Sequence, residues 1–178
     1  MAEIIELEDQ IEKVILVGVS EQDGDDAEDS VAELAELVRT AGAVVVGTLI
    51  QKRKLMHPGT YVGTGKVAEI AAMIAERGAT GIVCDDELSP AQLKNLEQML
   101  DTKVMDRTMV ILDIFASRAH TREGKIQVEL AQLRYRAVRL VGLRNSLSRL
   151  GGGIGTRGPG EKKLEVDPVS YTHLRAHE

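Results

Sequence analysis

The sequence predicts an α/β protein with a small four-stranded parallel sheet and flanking helices, followed by a long helical, coiled-coil-like arm that ends in a glycine-rich loop. Three observations predict this. Continuous apolar runs alternate with amphipathic stretches, the pattern of strands buried on both faces and joined by crossover helices. A coiled-coil-like apolar spacing begins at Ile126, and six glycines lie within residues 151–160. We expect an α/β subdomain at 1–106 and an arm at 107–167.

The first strands and helix follow a βαβ pattern. Residues 14–19 and 43–50 are continuous apolar runs, so both are expected to form buried strands. Between them, Ser30 can cap a helix that ends at Gly42, because serine oxygens accept hydrogen bonds from free backbone N–H groups at a helix start.

The pattern continues through two more units. A helix follows the glycine-rich residues 59–66, and residues 80–84 form a third strand. Ser89 and Pro90 predict the cap and first residue of the next helix. Residues 103–105 are expected to form a short fourth strand, after which Asp106 or Thr108 can cap a helix.

The charge distribution predicts a polyanionic partner for one part of the chain. The net charge is −6, but the stretch from Arg118 to Lys163 holds eleven Lys and Arg against three Glu. Residues 1–116 hold ten Lys and Arg against twenty-two Asp and Glu. Such asymmetry favours contact with nucleic acid, and we expect RNA. The alternative is a solvated helix face with neighbouring ion pairs.

The arm is the predicted contact region. Its apolar residues step by four and three and should pack along another helix; they are Ile126, Leu130, Leu133, Ala137 and Leu140. The residues predicted to contact phosphates are Arg134, Arg136, Arg139, Arg149, Arg157, Lys162 and Lys163. The glycines expected to let the backbone approach RNA closely are Gly151, Gly152, Gly153, Gly155, Gly158 and Gly160.

Gly63, Gly65 and Lys66 form the second candidate site, a nucleotide-binding one. They stand at a predicted helix start, where free N–H groups favour an anion. The spacing from Gly59 does not match a Walker A loop, and Val67 follows the lysine where that loop needs Ser or Thr. A structural turn into the helix is therefore the alternative. No catalytic or metal-binding constellation emerges.

Other composition features limit the possible classes. The single cysteine, Cys84, lies in an apolar strand-like run and is expected to be a buried thiol. No apolar run is long enough to span a membrane, and residues 1–10 lack the features of a signal peptide. We expect a cytoplasmic protein.

Five segments in order resemble the HflX family of ribosome-associated GTPases. They are residues 58–66, 86–97, 106–108, 127–133 and 151–161. The resemblance implies an α/β subdomain and two long antiparallel helices whose connecting loop reaches into the large (50S) ribosomal subunit. It also implies ribosomal RNA as partner, splitting of stalled ribosomes by the full-length protein, and GTP and Mg²⁺ in a separate C-terminal G domain.

The resemblance leaves two expectations open. The chain departs from the family after Asp167, and Pro168 would break the second helix, so we expect residues 168–178 to be a non-native tail. No G-domain motif is present, so we expect no GTP hydrolysis by this chain alone. For the full-length protein we expect a monomer.

The alternative function is a small adenine-nucleotide-sensing α/β module that binds ATP. A protein-interaction domain without a polyanion is a third.

Overall fold

The computed structural model describes residues 11–22 and 26–140. The strands are β1 (Lys13–Ser20), β2 (Val44–Lys52), β3 (Gly81–Cys84) and β4 (Lys103–Asp106). The helices are α1 (Ala27–Thr40), α2 (Thr64–Arg77), α3 (Pro90–Leu100), α4 (Arg107–Arg118) and α5 (Arg122–Leu140). The four strands form one parallel sheet in the order β2-β1-β3-β4. The predicted α/β class, with its four-stranded parallel sheet and flanking helices, is confirmed.

The central strand β1 divides the core into two layers. Ile15 and Val17 point into one apolar cluster, formed with residues of α2 and α3. Val14 and Leu16 point into the other, formed with residues of α1 and α4. Successive side chains of a strand alternate between its faces, so a strand covered on both sides needs an unbroken apolar run.

Strand β2 differs from the prediction because it lies at the edge of the sheet. Only β1 pairs with it, and the structure leaves most of its residues half-buried and Val44 exposed. The register slips by one residue at Val46, which leaves this residue as a bulge. Arg77 of α2 donates a hydrogen bond of 2.8 Å to the Val46 carbonyl. A bulge in an edge strand and a cation bonded to its backbone both oppose pairing with another chain.

The predicted helix starts are right in α3 and α4 but wrong in α1. Ser89 and Gln92 form the reciprocal capping box at α3, and Asp106 caps α4 by accepting from the Met109 N–H. Helix α1, however, already begins at Ala27, so Ser30 lies within it. Acidic residues in the first turn favour this earlier start, because they interact well with the positive end of the helix dipole.

Helix α4 belongs to the α/β body rather than to the arm. Met109, Val110 and Ile114 are buried in the core cluster that α1 also contributes to. The predicted boundary between residues 106 and 107 therefore separates β4 from a helix that packs on the sheet. The spacing of apolar residues along a helix is the same whether the helix packs on a sheet or on another helix, so this spacing alone did not locate the boundary. The long helix of the arm is α5, which begins at Arg122.

Candidate nucleic-acid interface

Helix α5 contacts the body through polar side chains. Gln132 and Arg139 are buried, and the Tyr135 ring packs against the core cluster of α1 and α4. On the other side of the helix, Leu130 is 46% exposed and Leu133 is 55% exposed. The apolar seam predicted from the sequence therefore faces away from the body, and the side that holds the helix in place is the polar one.

This exposed stripe predicts self-association of the chain. Replacing both Leu130 and Leu133 with glutamine should weaken self-association about tenfold or more, because association of two such stripes removes apolar surface from water. Molar mass measured by light scattering over a concentration series tests this. Val138→Gln is the matched control, since Val138 is 63% exposed but lies off the seam. A monomeric parent chain at every concentration would contradict the prediction.

Arg139 is held by contacts within the body. Its guanidinium pairs with the Glu87 carboxylate at 2.7 Å and donates to the Leu88 carbonyl at 3.1 Å. It also lies over the Tyr135 ring, 3.5 Å from the centroid. Only 7% of Arg139 is exposed. Its role in this structure is to attach α5 to the loop after β3, and this placement does not favour the phosphate contact predicted for it.

Asp106 stands at the centre of the same junction. It is fully buried at the end of β4 and accepts hydrogen bonds from the Leu88 N–H, the Met109 N–H and the Tyr135 hydroxyl. The three donors come from the loop after β3, from α4 and from α5. One carboxylate thus connects three separate segments at the carboxyl ends of β3 and β4.

The other predicted phosphate contacts divide into two groups. Arg134 is exposed and Arg136 is half-buried, and both lie on α5. The remaining predicted residues are outside the described part of the chain; they are Arg149, Gly151, Gly152, Gly153, Gly155, Arg157, Gly158, Gly160, Lys162 and Lys163. Within the described residues, Arg134 is therefore the predicted phosphate-binding arginine most open to solvent.

The loop that precedes α2 is a small hairpin fixed by α3. His57 and Tyr61 exchange backbone hydrogen bonds, and the His57 Nδ1 accepts from the N–H groups of Gly59 and Thr60. Gln92 donates to the His57 carbonyl at 2.9 Å. Asn95 of α3 donates likewise to the Gly59 carbonyl. Two of the sequence segments that carry the family resemblance therefore contact each other directly.

The predicted nucleotide residues follow this hairpin and already have protein partners. The Gly63 N–H donates to the Gln51 side chain at 2.8 Å, and a side chain at Gly63 would meet the Arg53 guanidinium. Lys66 pairs with Glu69 at 2.9 Å. Gly65 faces open space. The structure thus brings Gly63, Gly65 and Lys66 together at the start of α2, with Gly63 and Lys66 in contacts that a structural turn accounts for.

The acidic residues after β3 are also engaged. Asp85 pairs with Arg107 at 2.9 Å, and Asp86 accepts from the Tyr61 hydroxyl. Burial raises the pKa of Asp86 above its usual value, and this is the largest effect on that carboxyl. Among the described residues, no group of three or more His, Cys, Asp or Glu could hold a metal ion. These carboxylates serve to connect the loop to its neighbours.

Sequence reasoning missed the residues that hold this junction together. Asp106 was identified as a helix cap, but its contact with α5 was not. Tyr135 and Arg139 are spaced four residues apart on one helix face, and this spacing was the available signal for a stacked pair. His57 and Gln92 gave no signal, because their contact joins segments 35 residues apart in the chain.

Two family models match this chain in succession. The model described as GTP-binding GTPase N-terminal matches residues 28–116, and the one described as GTP-binding GTPase Middle Region matches residues 118–174. The transition between them coincides with the end of α4, where the packed body also ends. The second match includes residues 168–174, which we predicted to be part of a non-native tail. The fold and these matches define the N-terminal part of a GTP-binding GTPase.

Relatives in bacteria specify the family further. The chain is 74% identical to GTPase HflX of Lacrimispora saccharolytica over 94% of its length, and 48% identical to GTPase HflX of Escherichia coli over 88%. It spans 40% and 36% of the lengths of these two relatives. The chain belongs to the HflX family of GTPases, as the resemblance predicted.

Solved structures share the fold. A mutation variant of a protein named SsGBP is 25% identical, with a TM-score of 0.58 over 75% of this chain and 42% of its own. A GTP-binding protein of Sulfolobus solfataricus in complex with GDP has a TM-score of 0.55 and 23% identity over 77% of this chain and 41% of its own. In the described part of the chain, no helix has the length and apolarity needed to cross a membrane.

Proposed function

We propose that this chain is the ribosome-binding N-terminal region of an HflX-type GTPase, acting in the cytoplasm. It associates with the large ribosomal subunit through ribosomal RNA. In the full-length protein this contact serves the splitting of stalled ribosomes. The observation that carries the proposal is the placement of α5, whose polar side is fixed to an acidic body while Arg134, on the same helix, is exposed.

The phosphate-binding set follows from this placement. It comprises Arg134 and Arg136 in the described helix, together with the basic and glycine residues predicted in 149–163. Arg139 is left out, because its guanidinium is buried against Glu87 and Tyr135. Contacts of this kind position a protein on RNA without reading its sequence.

Guanine-nucleotide use is assigned to the full-length protein. The relatives are named as GTPases, and this chain spans about 40% of one of them. GTP binding, Mg²⁺ binding and hydrolysis belong, in this proposal, to parts of the full-length protein beyond the two matched regions. The nucleotide alternative, with ATP at Gly63, Gly65 and Lys66, is not favoured by the contacts that Gly63 and Lys66 make.

Sedimentation with purified large subunits over a series of salt concentrations tests the proposal. Binding should weaken steeply with salt, because phosphate contacts release counterions. The variant Arg134→Gln/Arg136→Gln should weaken binding about tenfold and reduce the slope of log affinity against log salt by about 2, which is about one for each contact.

A matched variant keeps this experiment specific. Lys13→Gln/Arg39→Gln removes the same number of positive charges from the body and should leave both the affinity and the slope close to those of the parent chain. Equal losses in the two variants would indicate a general charge effect. Binding that does not depend on salt would refute RNA contact and favour a protein-interaction domain.

A further inference from the structure

The junction between α5 and the body has contacts that a solvent-exposed arm does not need for its own helical structure. Tyr135 donates its hydroxyl to the buried Asp106, and Arg139 reaches the loop after β3. Both residues lie in the last two turns of the described helix, about one turn apart. The helix is therefore attached at two points well beyond its connection to α4.

The partners of these two residues are themselves fixed. Asp106 is fully buried and also holds the Leu88 and Met109 N–H groups. Arg139 donates to the Leu88 carbonyl as well as to Glu87, so residue 88 is contacted through both its N–H and its carbonyl. A helix attached to such rigid groups at two points has one direction relative to the sheet.

The aromatic ring couples the two attachments. The Arg139 guanidinium lies 3.5 Å from the Tyr135 ring centroid, so a change in one side chain removes support from the other. Arginine suits this place better than lysine, since its planar group can stack on a ring and donate to two oxygens at once.

We propose that Tyr135 and Arg139 are positioning residues that fix the direction of α5 and so present its basic surface to the large subunit. The effect of these two residues on ribosome binding rests on the proposed function. The fixed direction of α5 is a property of the free protein. An arm already aligned avoids the entropy cost of ordering on association. Arg139 thus contributes to binding without contacting RNA.

Distance measurements between spin labels test the fixed direction in the free chain. Labels at Ala72→Cys on α2 and Val138→Cys on α5 report the position of the arm against the body, since both sites are exposed. The natural Cys84 is fully buried, so it should not react with the label. The parent should give one narrow distance distribution, and adding Tyr135→Phe or Arg139→Gln should broaden and shift it.

Two further variants separate positioning from charge. Arg134→Gln removes the same charge from an exposed place on the same helix and should leave the distances unchanged. Arg139→Lys keeps the charge for Glu87 but cannot reproduce the stacked, two-oxygen contact, so it should restore the narrow distribution only in part. Unfolding by urea should show that the body stays folded in all of them.

The two proposals fail in distinguishable ways. Arg139→Gln should weaken large-subunit binding about tenfold while leaving the salt slope unchanged, because it removes alignment and not a phosphate contact. A distance distribution identical to that of the parent in both Tyr135→Phe and Arg139→Gln would overturn the positioning role, whatever the ribosome does. If the distance distribution broadens in these variants but neither the parent nor any variant binds large subunits, the proposed function is overturned and the positioning role is still supported.

Discussion

Asp106→Ala is expected to lower the free energy of unfolding by about 3–5 kcal/mol, a large part of the stability of a domain of this size. The carboxylate is fully buried and accepts from the Leu88 N–H at 3.0 Å, from the Met109 N–H at 3.0 Å and from the Tyr135 hydroxyl. Alanine leaves all three donors without an acceptor, and each unsatisfied buried donor costs about 1–3 kcal/mol. Loss of the α4 cap is included in this sum.

Urea unfolding followed by circular dichroism measures the effect. Tyr135→Phe removes one of the three donors together with its bond, so it should cost only about 1 kcal/mol. Asp29→Ala is the control, because this exposed aspartate in the first turn of α1 contributes only a small helix-dipole term. A loss below about 1 kcal/mol in Asp106→Ala would show that water or a rearranged side chain replaces the carboxylate.

The sequence predicted the parts of the fold that depend on local pattern. The two central strands, β1 and β3, are apolar at nearly every position, because both faces of a covered parallel sheet must be apolar. The helix cap at Ser89 could also be predicted from the sequence, since its capping box involves residues only three apart. These features follow from neighbours in the chain.

The features that depend on distant partners could not be predicted in this way. Strand β2 looks as apolar as β1, and only the strand order β2-β1-β3-β4 places it at an edge. The two sides of α5 illustrate the same limit. Its apolar spacing predicts a packed seam, whereas the contacts with the body come from Tyr135 and Arg139, whose partners Asp106 and Glu87 lie about thirty and fifty residues away.

The same distinction between local patterns and distant contacts applies to the candidate sites. Charge asymmetry identified the arm, because a count of charges needs no tertiary information. It could not tell Arg139 from Arg134, since exposure and pairing are set by where the helix packs. In the same way, glycine spacing suggested a phosphate loop at Gly63, and the structure shows Gln51 as its hydrogen-bond partner.

Alkaline pH is expected to destabilise the chain strongly, and two fully buried groups are the main cause. Burial raises the pKa of the Tyr61 phenol well above 10.0, with the neighbouring Cys84 and Asp86 adding to the effect. Burial likewise raises the pKa of the Cys84 thiol well above 9.0. Both groups are 0% exposed and remain protonated in the folded chain. The half-buried Tyr135, whose pKa is raised mainly by burial, should add a smaller share.

The direction of the effect follows from proton binding. A raised pKa in the folded state means that the folded chain holds the proton more tightly than the unfolded chain. The resulting stability is complete below the unfolded pKa, near 9.0 for Cys84 and 10.0 for Tyr61, and is lost as pH rises toward the folded value. Each group removes about 1.4 kcal/mol per pH unit once the pH is well above its unfolded pKa, so the two together remove about 2 kcal/mol between pH 10 and 11.

Urea unfolding at pH 7, 9, 10 and 11 tests this expectation. Cys84→Ala should move the onset of the loss from near pH 9 to near pH 10, and Tyr61→Phe should reduce the slope above pH 10. Phe115→Tyr is the control, because Phe115 is 56% exposed and a tyrosine there should titrate alike in the folded and unfolded chains. Stability that stays level from pH 9 to 11 would mean that these groups reach water without global unfolding. The buried junction of Tyr61 with the loop after β3 would then open locally, ahead of the rest of the sheet.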